Sequence, residues 1–369
     1  MKVALLIRSL EIGGAERQLV ILARGLCKRG YEVRVLTFYP GGALRGELEA
    51  AGVHLIDLAK RGRWDVAGFL SRVVKTLLRE RPGVIYSFLP TANLVGLIAG
   101  RLAQVPRIVW GVRASNMDLA LYDRLSRVEM WLSGRLARFA SKIICNSLAG
   151  AEHHVQLGYP ATKLHVIENG VDTDRFYFDA AERERVRAEW RISPGEILIG
   201  LPARLDPMKD HKTALQAFLL LGIDWPAAKL VCVGAGPLSD SLRALSISLG
   251  LENRVIWAGV RVDMPAVYSA FDLASSSSYG EGFSNTLAEA MACECVCVAT
   301  DVGDSAKIVG DTGWVVPAKA PEALALAWRQ ALTLTANERS SIGAKARQRI
   351  EENFSISIMV QRTLEVLQG

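Results

Sequence analysis

Short runs of apolar residues alternate with amphipathic stretches along the whole chain of 369 residues. In the first half, strands are predicted from the runs VALLIR, VRVLTF, VHLI, VIYSF, RIVWGV and KIICN, with helical periodicity over residues 15–29, 64–80 and 121–139. A second series of predicted strands comprises EILIGLP, KLVCVG, RVIWAG, LASSSS, CVCVAT and GWVV. Strands that alternate with helices predict parallel sheets covered on both faces, which is the α/β class.

The two series of elements predict two Rossmann-like domains, because a chain of this length suits two cores of about 150–200 residues. Turn-rich sequence near residues 170–180 separates the series, so we expect one domain over 1–170 and another over 171–350. Residues 351–369 are predicted to form a helix that packs back towards the first domain. Sheets of this kind bind ligands at the carboxyl ends of their strands, which places the expected site in a cleft between facing domains.

Charge is distributed unevenly along the chain. Residues 1–175 carry 25 Lys and Arg against 15 Asp and Glu, whereas residues 176–369 carry 19 against 23. The basic half predicts an anionic partner. No nucleic acid is expected, because the sequence has no basic stripe with interleaved aromatic residues and no nucleic-acid-binding motif. An anionic membrane surface or a phosphorylated acceptor fits the charge better.

Hydropathy predicts neither a signal peptide nor a membrane-spanning helix. The apolar run at residues 1–7 is too short for a signal core, and the run at 84–100 is interrupted by Pro90 and Asn93. We therefore expect a cytoplasmic protein, either soluble or associated peripherally with the cytoplasmic face of the inner membrane.

The cysteines predict buried thiols and no metal site. Cys293, Cys295 and Cys297 alternate in ACECVCVAT, so as a strand all three would share one face. A metal site is the alternative, but no His or second Cys pair stands nearby at ligand spacing. Reduced thiols agree with a cytoplasmic location.

Residue types that bind phosphate follow two of the predicted strands. Gly13 and Gly14 lie between the first strand and the first helix, where a helix N-terminus favours an anion. They lack the G-x-G-x-x-G spacing of a nicotinamide site, and a plain tight turn is the alternative. Arg204 and Lys209 follow EILIGLP in the segment LPARLDPMKDHKT. A guanidinium fork and an ammonium group both bind phosphate oxygens, which favours a phosphate site over a solvated basic loop.

The densest segment is SSSSYGEGFSNTLAEAMACECVCVAT. Glu281 lies between glycines, and Glu289 lies eight residues later inside a predicted helix. Carboxylates at these positions accept hydrogen bonds from sugar and ribose hydroxyls, although a loop charge and a helix-surface residue are the alternatives. Backbone N–H groups at the start of this helix favour a diphosphate. The residues that open it are Gly282, Phe283, Ser284, Asn285 and Thr286.

The chain resembles the retaining family 4 glycosyltransferases of the GT-B fold over nearly its whole length. The resemblance is carried by GGAER (13–17), VIENGVDTDRF (166–176), ARLDPMKDHKT (203–213), VGAGP (233–237) and EGFSNTLAE (281–289), the last being the family's E-x7-E motif. It implies two Rossmann-like domains facing a central cleft. It also implies transfer of a hexose or N-acetylhexosamine from a nucleotide sugar, UDP-linked by the family's habit, to a glycan acceptor. A lipid-linked acceptor in O-antigen or capsule synthesis is the expected setting.

The same resemblance implies a role for each candidate residue. Arg204 and Lys209 would neutralise the departing diphosphate, Glu281 would contact the transferred sugar, and Glu289 would contact the ribose. Four further residues are implied to contact the donor: Gly13 and Gly14 at the diphosphate, and Arg261 and Val262 near the base. No metal is implied, because Arg, Lys and helix dipoles supply the positive charge.

One position departs from the family pattern. Many members carry a His after the strand that here reads RIVWGVR, and this chain carries Arg113. Arg stays protonated and cannot act as a base, which indicates a charged acceptor such as a phosphate or pyrophosphate. Two other functions stay open at this point. One is a sugar-nucleotide-modifying enzyme such as an epimerase, and the other is a non-catalytic nucleotide-sugar-binding protein.

The segment LYDRLSRVEMWLSGRLARFASK (121–142) combines helix-spaced charges with an apolar stripe. The charges are Arg124, Arg127, Arg135, Arg138 and Lys142, and the stripe comprises Leu121, Leu125, Val128, Trp131, Leu132 and Leu136. Two interpretations are open from the sequence. The stripe either faces the core, or it lies near anionic headgroups at a membrane surface.

Overall fold

The computed structural model describes residues 1–62, 64–113 and 124–369, and for residues 124–126 it describes the backbone alone. Of the predicted helix over 121–139, residues 121–123 therefore lie outside the described residues. The chain forms two compact units. Unit 1 comprises Met1–Gly170 and Ile356–Gly369, and unit 2 comprises Val171–Ser355.

Unit 1 is built on seven parallel strands in the order β3-β2-β1-β4-β5-β6-β7. The strands are β1 (Lys2–Ile7), β2 (Glu32–Thr37), β3 (His54–Asp57), β4 (Val84–Phe88), β5 (Arg107–Val112), β6 (Lys142–Cys145) and β7 (Leu164–Val166). The helices between them are α1 (Gly14–Lys28), α2 (Arg45–Ala50), α3 (Val66–Glu80), α4 (Pro90–Leu102), α5 (Arg124–Leu136) and α6 (Leu148–Gln156). The three-residue β7 escaped sequence prediction because its apolar run is too short.

Unit 2 is built on six parallel strands in the order β10-β9-β8-β11-β12-β13. The strands are β8 (Ile197–Pro202), β9 (Ala228–Val233), β10 (Val255–Gly259), β11 (Leu273–Ser276), β12 (Cys297–Thr300) and β13 (Gly313–Val316). The helices are α7 (Ala180–Glu189), α8 (His211–Leu221), α9 (Ser239–Ser248), α10 (Met264–Ala270), α11 (Asn285–Ala292), α12 (Ser305–Val309), α13 (Pro321–Leu332) and α14 (Ala336–Phe354).

Both sheets reverse their strand order at one point, between β1 and β4 in unit 1 and between β8 and β11 in unit 2. The central strands are almost fully buried, as expected for parallel strands covered by helices on both faces. At a point of reversal the connections leave towards opposite faces, and a crevice opens outside the carboxyl ends of the strands. The loops after β8 and β11 thus occupy the position that binds ligands in open α/β sheets.

The last helix, α15 (Ile356–Gln368), belongs to unit 1. It packs against α1, where a Cβ on Gly25 would overlap the side chain of Val360, so glycine permits the close approach. In addition, Arg107 Nη1 donates a hydrogen bond to the carbonyl of Leu367 at 2.8 Å. The preceding helix α14 continues to Phe354, four residues beyond the end predicted for the second domain.

The prediction that Cys293, Cys295 and Cys297 share one face of a strand in ACECVCVAT is wrong. Cys293 instead ends α11, and Cys295 N–H donates to the carbonyl of Ala290 as the chain reverses through Glu294, whose φ is +59°. The strand β12 begins only at Cys297. All three thiols are free and buried, and burial raises the pKa of Cys295 to about 12.

Across the described residues, no helix is both long and apolar enough to cross a bilayer. The same residues contain no cluster of three or more His, Cys, Asp or Glu that could hold a metal ion.

Candidate active site

The loop that carries Arg204 is held by two glycines of the next β–α connection. A Cβ on Gly234 would overlap the carbonyl oxygen of Ala203, and a Cβ on Gly236 would overlap that of Leu205. These glycines let two backbones approach closely. Arg204 lies between the two contacts, and 73% of its side chain is exposed. The motif VGAGP therefore packs against the backbone of the Arg204 loop and leaves the Arg204 guanidinium exposed to solvent.

Asp206 fixes the orientation of this loop. Its Oδ2 accepts a hydrogen bond from Arg204 Nε at 2.6 Å, and its Oδ1 accepts one from the N–H of Met208 at 3.0 Å. The carboxylate is buried, and it organises the turn at Pro207–Lys209 that leads to Lys209. One buried carboxylate thus positions both candidate phosphate-binding cations. The sequence analysis did not single it out.

Lys209 and Glu281, which are 72 positions apart, form an ion pair between Nζ and Oε1. The same carboxylate oxygen accepts a hydrogen bond from Ser278 Oγ at 2.7 Å. The hydroxyl of Ser277 donates to the carbonyl of Lys209 at 2.9 Å, so the loops after β8 and β11 are tied together. The side chains of Lys209 and Glu281 retain 26% and 11% exposure, which keeps the pair accessible from one side.

The loop around Glu281 is supported from the carboxyl end of β12. Thr300 Oγ1 donates to the carbonyl of Ser278 at 2.5 Å, and Asp304 N–H donates to the carbonyl of Gly282 at 3.0 Å. A Cβ on Gly303 would lie 2.5 Å from the carbonyl of Glu281, at a φ of +57°. These contacts from a third strand end hold the Glu281 carboxylate in one position.

The helix α11 begins directly after this loop. Ser284 is its N-cap residue, but its hydroxyl does not cap the backbone and lies 3.5 Å from Thr286 Oγ1. The Ser284 hydroxyl therefore does not occupy the N-terminus of α11, which is the kind of helix end at which phosphate groups bind. Phe283 differs from its neighbours because its side chain is buried, with its ring 5.5 Å from that of Phe354. Its predicted contact with a donor would have to come from the backbone.

Glu289 lies on α11, where its Oε2 accepts a hydrogen bond from the hydroxyl of Tyr268 at 2.9 Å. Tyr268 is completely buried, so it fixes this carboxylate from the core side. Burial, reinforced by the Glu289 charge, raises the pKa of the Tyr268 hydroxyl, which keeps it a hydrogen-bond donor.

Arg261 is already engaged by two carboxylates. Its Nε and Nη2 donate to Asp263 at 2.9 and 2.7 Å, and its Nη2 donates to Glu189 at 3.1 Å. The hydrogen bond from Arg261 lowers the pKa of Asp263 to about 2. Val262 is 82% exposed. Of the two residues predicted to lie near the base, only Val262 presents an uncommitted side chain.

In unit 1, Gly13 is the N-cap residue of α1 and Gly14 opens the helix in an exposed position. Arg113 follows β5, where its Nη1 donates to Asn169 Oδ1 at 2.6 Å and its guanidinium lies 4.8 Å from the Phe88 ring centroid. Among the described residues, Arg113 forms no ion pair with a carboxylate. A half-buried cation held only by neutral groups is suited to an anionic ligand.

Sequence reasoning missed Ser278, Asp206 and Thr300. The signal for Ser278 was the run of four serines at the carboxyl end of a predicted strand, where hydroxyls have no packing role and strand ends face ligands. The signal for Asp206 was weaker, since an Asp before Pro is common in ordinary turns.

Ser278→Ala is expected to lower kcat about tenfold or more, because a hydrogen bond to a charged group contributes about 1.5–3 kcal/mol. The donor KM should change less, since the lost contact positions a carboxylate and binds no donor itself. Steady-state kinetics with a nucleotide-sugar donor measure both constants. Ser248→Ala on the exposed face of α9 is the matched control. An unchanged kcat in folded Ser278→Ala protein would remove this positioning role.

Comparison with known proteins identifies two family matches that together span most of the chain. The family described as "Glycosyltransferase Family 4" matches residues 12–175, and "Glycosyl transferases group 1" matches residues 182–349. The candidate residues of unit 2 all lie inside the second match, and Gly13, Gly14 and Arg113 lie inside the first.

Two relatives align along most of their length. The N-acetylgalactosamine-N,N'-diacetylbacillosaminyl-diphospho-undecaprenol 4-alpha-N-acetylgalactosaminyltransferase of Campylobacter jejuni is 27% identical over 319 residues, covering 84% of each chain. The D-inositol 3-phosphate glycosyltransferase of Rhodococcus erythropolis is 26% identical over 381 residues, covering 94% of this chain and 84% of the relative.

Among solved structures, Anabaena HepE in complex with UDP is similar to this chain with a TM-score of 0.87 and 25% identity, covering 100% of both chains. A complex of the same protein with UDP-glucose has the same TM-score and covers 100% of this chain and 99% of that one. The predicted α/β class, with two Rossmann-like units of the GT-B type, is confirmed.

Proposed function

The chain belongs to the family 4 glycosyltransferases of the GT-B fold, and we propose that it transfers a hexose or N-acetylhexosamine from UDP to a lipid-linked glycan with retention of configuration. The observation that carries the proposal is the Lys209–Glu281 ion pair beside Arg204, at the strand-order reversal of unit 2. Two cations and one carboxylate thus follow the carboxyl ends of strands, the edge at which open α/β sheets bind ligands, and this supports the proposal.

The charges of this site suit a nucleoside diphosphate as leaving group. The donor's diphosphate attracts Lys209 Nζ and the exposed guanidinium of Arg204, while the N–H groups at the start of α11 add the positive end of the helix dipole. Glu281 remains held by Ser278 and faces the sugar. HepE, which binds UDP and UDP-glucose, supports a uridine nucleotide as the carrier.

Retention follows in our proposal from reaction on one face of the sugar. The bond between the anomeric carbon and the diphosphate oxygen breaks as the acceptor oxygen bonds to the same face. The acceptor's hydroxyl proton passes to the departing phosphate oxygen, so no side chain has to act as a base. Arg113, where the family resemblance implies a His, cannot accept this proton. Positive charge on the leaving group lowers the barrier, because negative charge grows there in the transition state.

The acceptor is proposed to carry phosphate. Arg113 has no carboxylate partner among the described residues, and it lies in the strongly basic half of the chain. The names of both relatives specify acceptors with phosphate groups, diphospho-undecaprenol in one and inositol 3-phosphate in the other. We therefore favour a polyprenyl diphosphate-linked glycan, extended at the cytoplasmic face of the membrane in surface polysaccharide synthesis.

A thermal-shift screen against UDP, GDP and ADP, each with a panel of its sugars, tests the donor. UDP at about one hundred times its Kd should stabilise the protein by about 2.7 kcal/mol, and one UDP-sugar should exceed UDP. Incubation of that sugar with a polyprenyl diphosphate-linked glycan should then give a product heavier by one sugar residue. Stabilisation without any such product, or an isomerised donor, would contradict transfer and favour a binding protein or an epimerase.

A further inference from the structure

Several large apolar side chains of α5 are exposed on its outer face and are not buried in a core. Its buried residues are small: Ser133 and Gly134, followed by Ala137 in the 3-10 turn Ala137–Phe139. Val128 and Trp131 are instead 57% and 59% exposed. Of the two interpretations left open by the sequence, the core-facing stripe is therefore wrong for Val128 and Trp131, whereas Leu136 of the same stripe packs against the core of unit 1.

Close backbone packing fixes this orientation. A Cβ on Gly134 would overlap the carbonyl oxygen of Leu157, at the end of α6. Only a glycine permits this approach, so the side of α5 that bears Gly134 must face inwards. Val128 and Leu132 lie on the side of the helix away from Gly134, and Trp131, three residues before Gly134, lies at the edge of the inward side and is still exposed.

The neighbouring helix α4 extends the same surface. Thr91 Oγ1 donates to Glu129 Oε1 at 2.6 Å near one end of the two helices, and Arg101 Nη2 donates to the carbonyl of Phe139 at 3.0 Å near the other. We call the exposed residues together the α4–α5 surface. Its apolar members are Ile98, Leu102, Val128, Trp131, Leu132 and Phe139, and its basic members are Arg101, Arg127, Arg135 and Arg138.

Basic and aromatic side chains are stacked on this surface. The guanidinium of Arg135 lies 5.1 Å from the Trp131 ring centroid, and that of Arg138 lies 4.9 Å from the Phe139 centroid. Glu129 is the single acidic residue in the sequences of α4 and of 124–139, and it is engaged by Thr91. The surface therefore combines exposed apolar area with a net positive charge.

We propose that the α4–α5 surface docks onto an anionic lipid bilayer. Aromatic side chains such as Trp and Phe enter the boundary between headgroups and acyl chains, while arginines beside them extend to the lipid phosphates. Each basic residue near an anionic surface adds electrostatic attraction, which an uncharged protein partner would not match. The inference rests on the proposed lipid-linked acceptor.

The position of the surface agrees with that acceptor. Met130 and Ser133, on the same helix α5, line a pocket of about 280 Å³ that also includes Arg8 and Arg113. A bilayer against the outer face of α5 would thus bring a lipid-linked substrate next to the candidate acceptor-side cation, within one unit.

Flotation with vesicles tests the proposal. The full chain should float with vesicles of phosphatidylcholine and phosphatidylglycerol, and much less with phosphatidylcholine alone. Trp131→Ser/Phe139→Ser and Arg127→Gln/Arg135→Gln/Arg138→Gln should each reduce the partition at least about tenfold, the second more at low salt than at high salt. Ile223→Ser/Ile247→Ser, which removes two exposed apolar residues of unit 2, should partition like the unchanged protein.

Equal flotation of all these proteins would overturn the proposal. So would a change of oligomeric state on Trp131→Ser/Phe139→Ser without vesicles, since the surface would then join two copies of the chain. Thermal stabilisation by UDP distinguishes failure of the docking proposal from failure of the proposed function. Both variants of the α4–α5 surface should keep the stabilisation by UDP, because their substituted residues lie in unit 1 and none of them is assigned to the donor site. Loss of UDP binding in the unchanged protein would contradict the donor assignment and leave the vesicle result intact.

Discussion

Lys209→Ala lowers kcat by at least about a hundredfold in our account, the scale seen when one donor to a developing negative charge is removed. The ammonium group lies on the turn before α8, with 26% of its side chain exposed, so its removal leaves no cavity in the core. Its ion pair with Glu281 shows that it already lies beside the site's carboxylate. When a diphosphate binds, the same Nζ neutralises charge that grows as the sugar leaves.

Initial rates at saturating donor and acceptor measure this effect. Lys212→Ala is the matched control, because Lys212 is exposed in the first turn of α8, whereas the ion pair with Glu281 is formed by Lys209. Lys212→Ala should retain the full rate. A folded Lys209→Ala protein with near-normal kcat would show that the leaving group is stabilised elsewhere.

Glu281→Gln is expected to lower turnover without lowering the affinity for UDP. It should lower kcat by about two orders of magnitude, because the amide retains the shape of the side chain but loses the charge facing the sugar. The affinity for UDP alone should stay the same or rise, because Lys209 no longer has to leave a carboxylate in order to reach the diphosphate. A uniform loss of structure would not separate the two quantities in this way.

Turnover and calorimetric titration with UDP, measured on the same protein preparation, test the pair of effects. Glu252→Gln, an exposed carboxylate of unit 2, is the control and should change neither quantity. A parallel loss of kcat and UDP affinity in Glu281→Gln would contradict our assignment, since it would place Glu281 in contact with the nucleotide.

The fold class was predictable because strand and helix periodicities alternate along the chain. The carboxyl-end rule then indicated where Arg204, Lys209 and Glu281 should lie, without knowledge of their contacts. Contacts between loops were not predictable. Ser278 donates a hydrogen bond to Glu281 Oε1, and the carbonyl of Ser278 accepts one from Thr300, which lies at another strand end.

Two other features depended on tertiary packing. The family resemblance implies that Arg261 lies near the base, but its pairing with Glu189, which lies 72 residues earlier, could not be read from the sequence. On α5, the apolar pattern alone fits either a core-facing or an outward-facing helix. Gly134 decides between them, and its contact with Leu157 is visible only in the folded unit.

The anomeric configuration of the first product tests the central claim most directly. The reaction starts from an α-linked UDP-sugar and is stopped early, and proton NMR of the purified product reports the new glycosidic bond. Our account predicts an α-linkage, since the acceptor attacks from the face that the diphosphate leaves. A β-linked product would contradict transfer on one face and would require a base that Arg113 cannot supply.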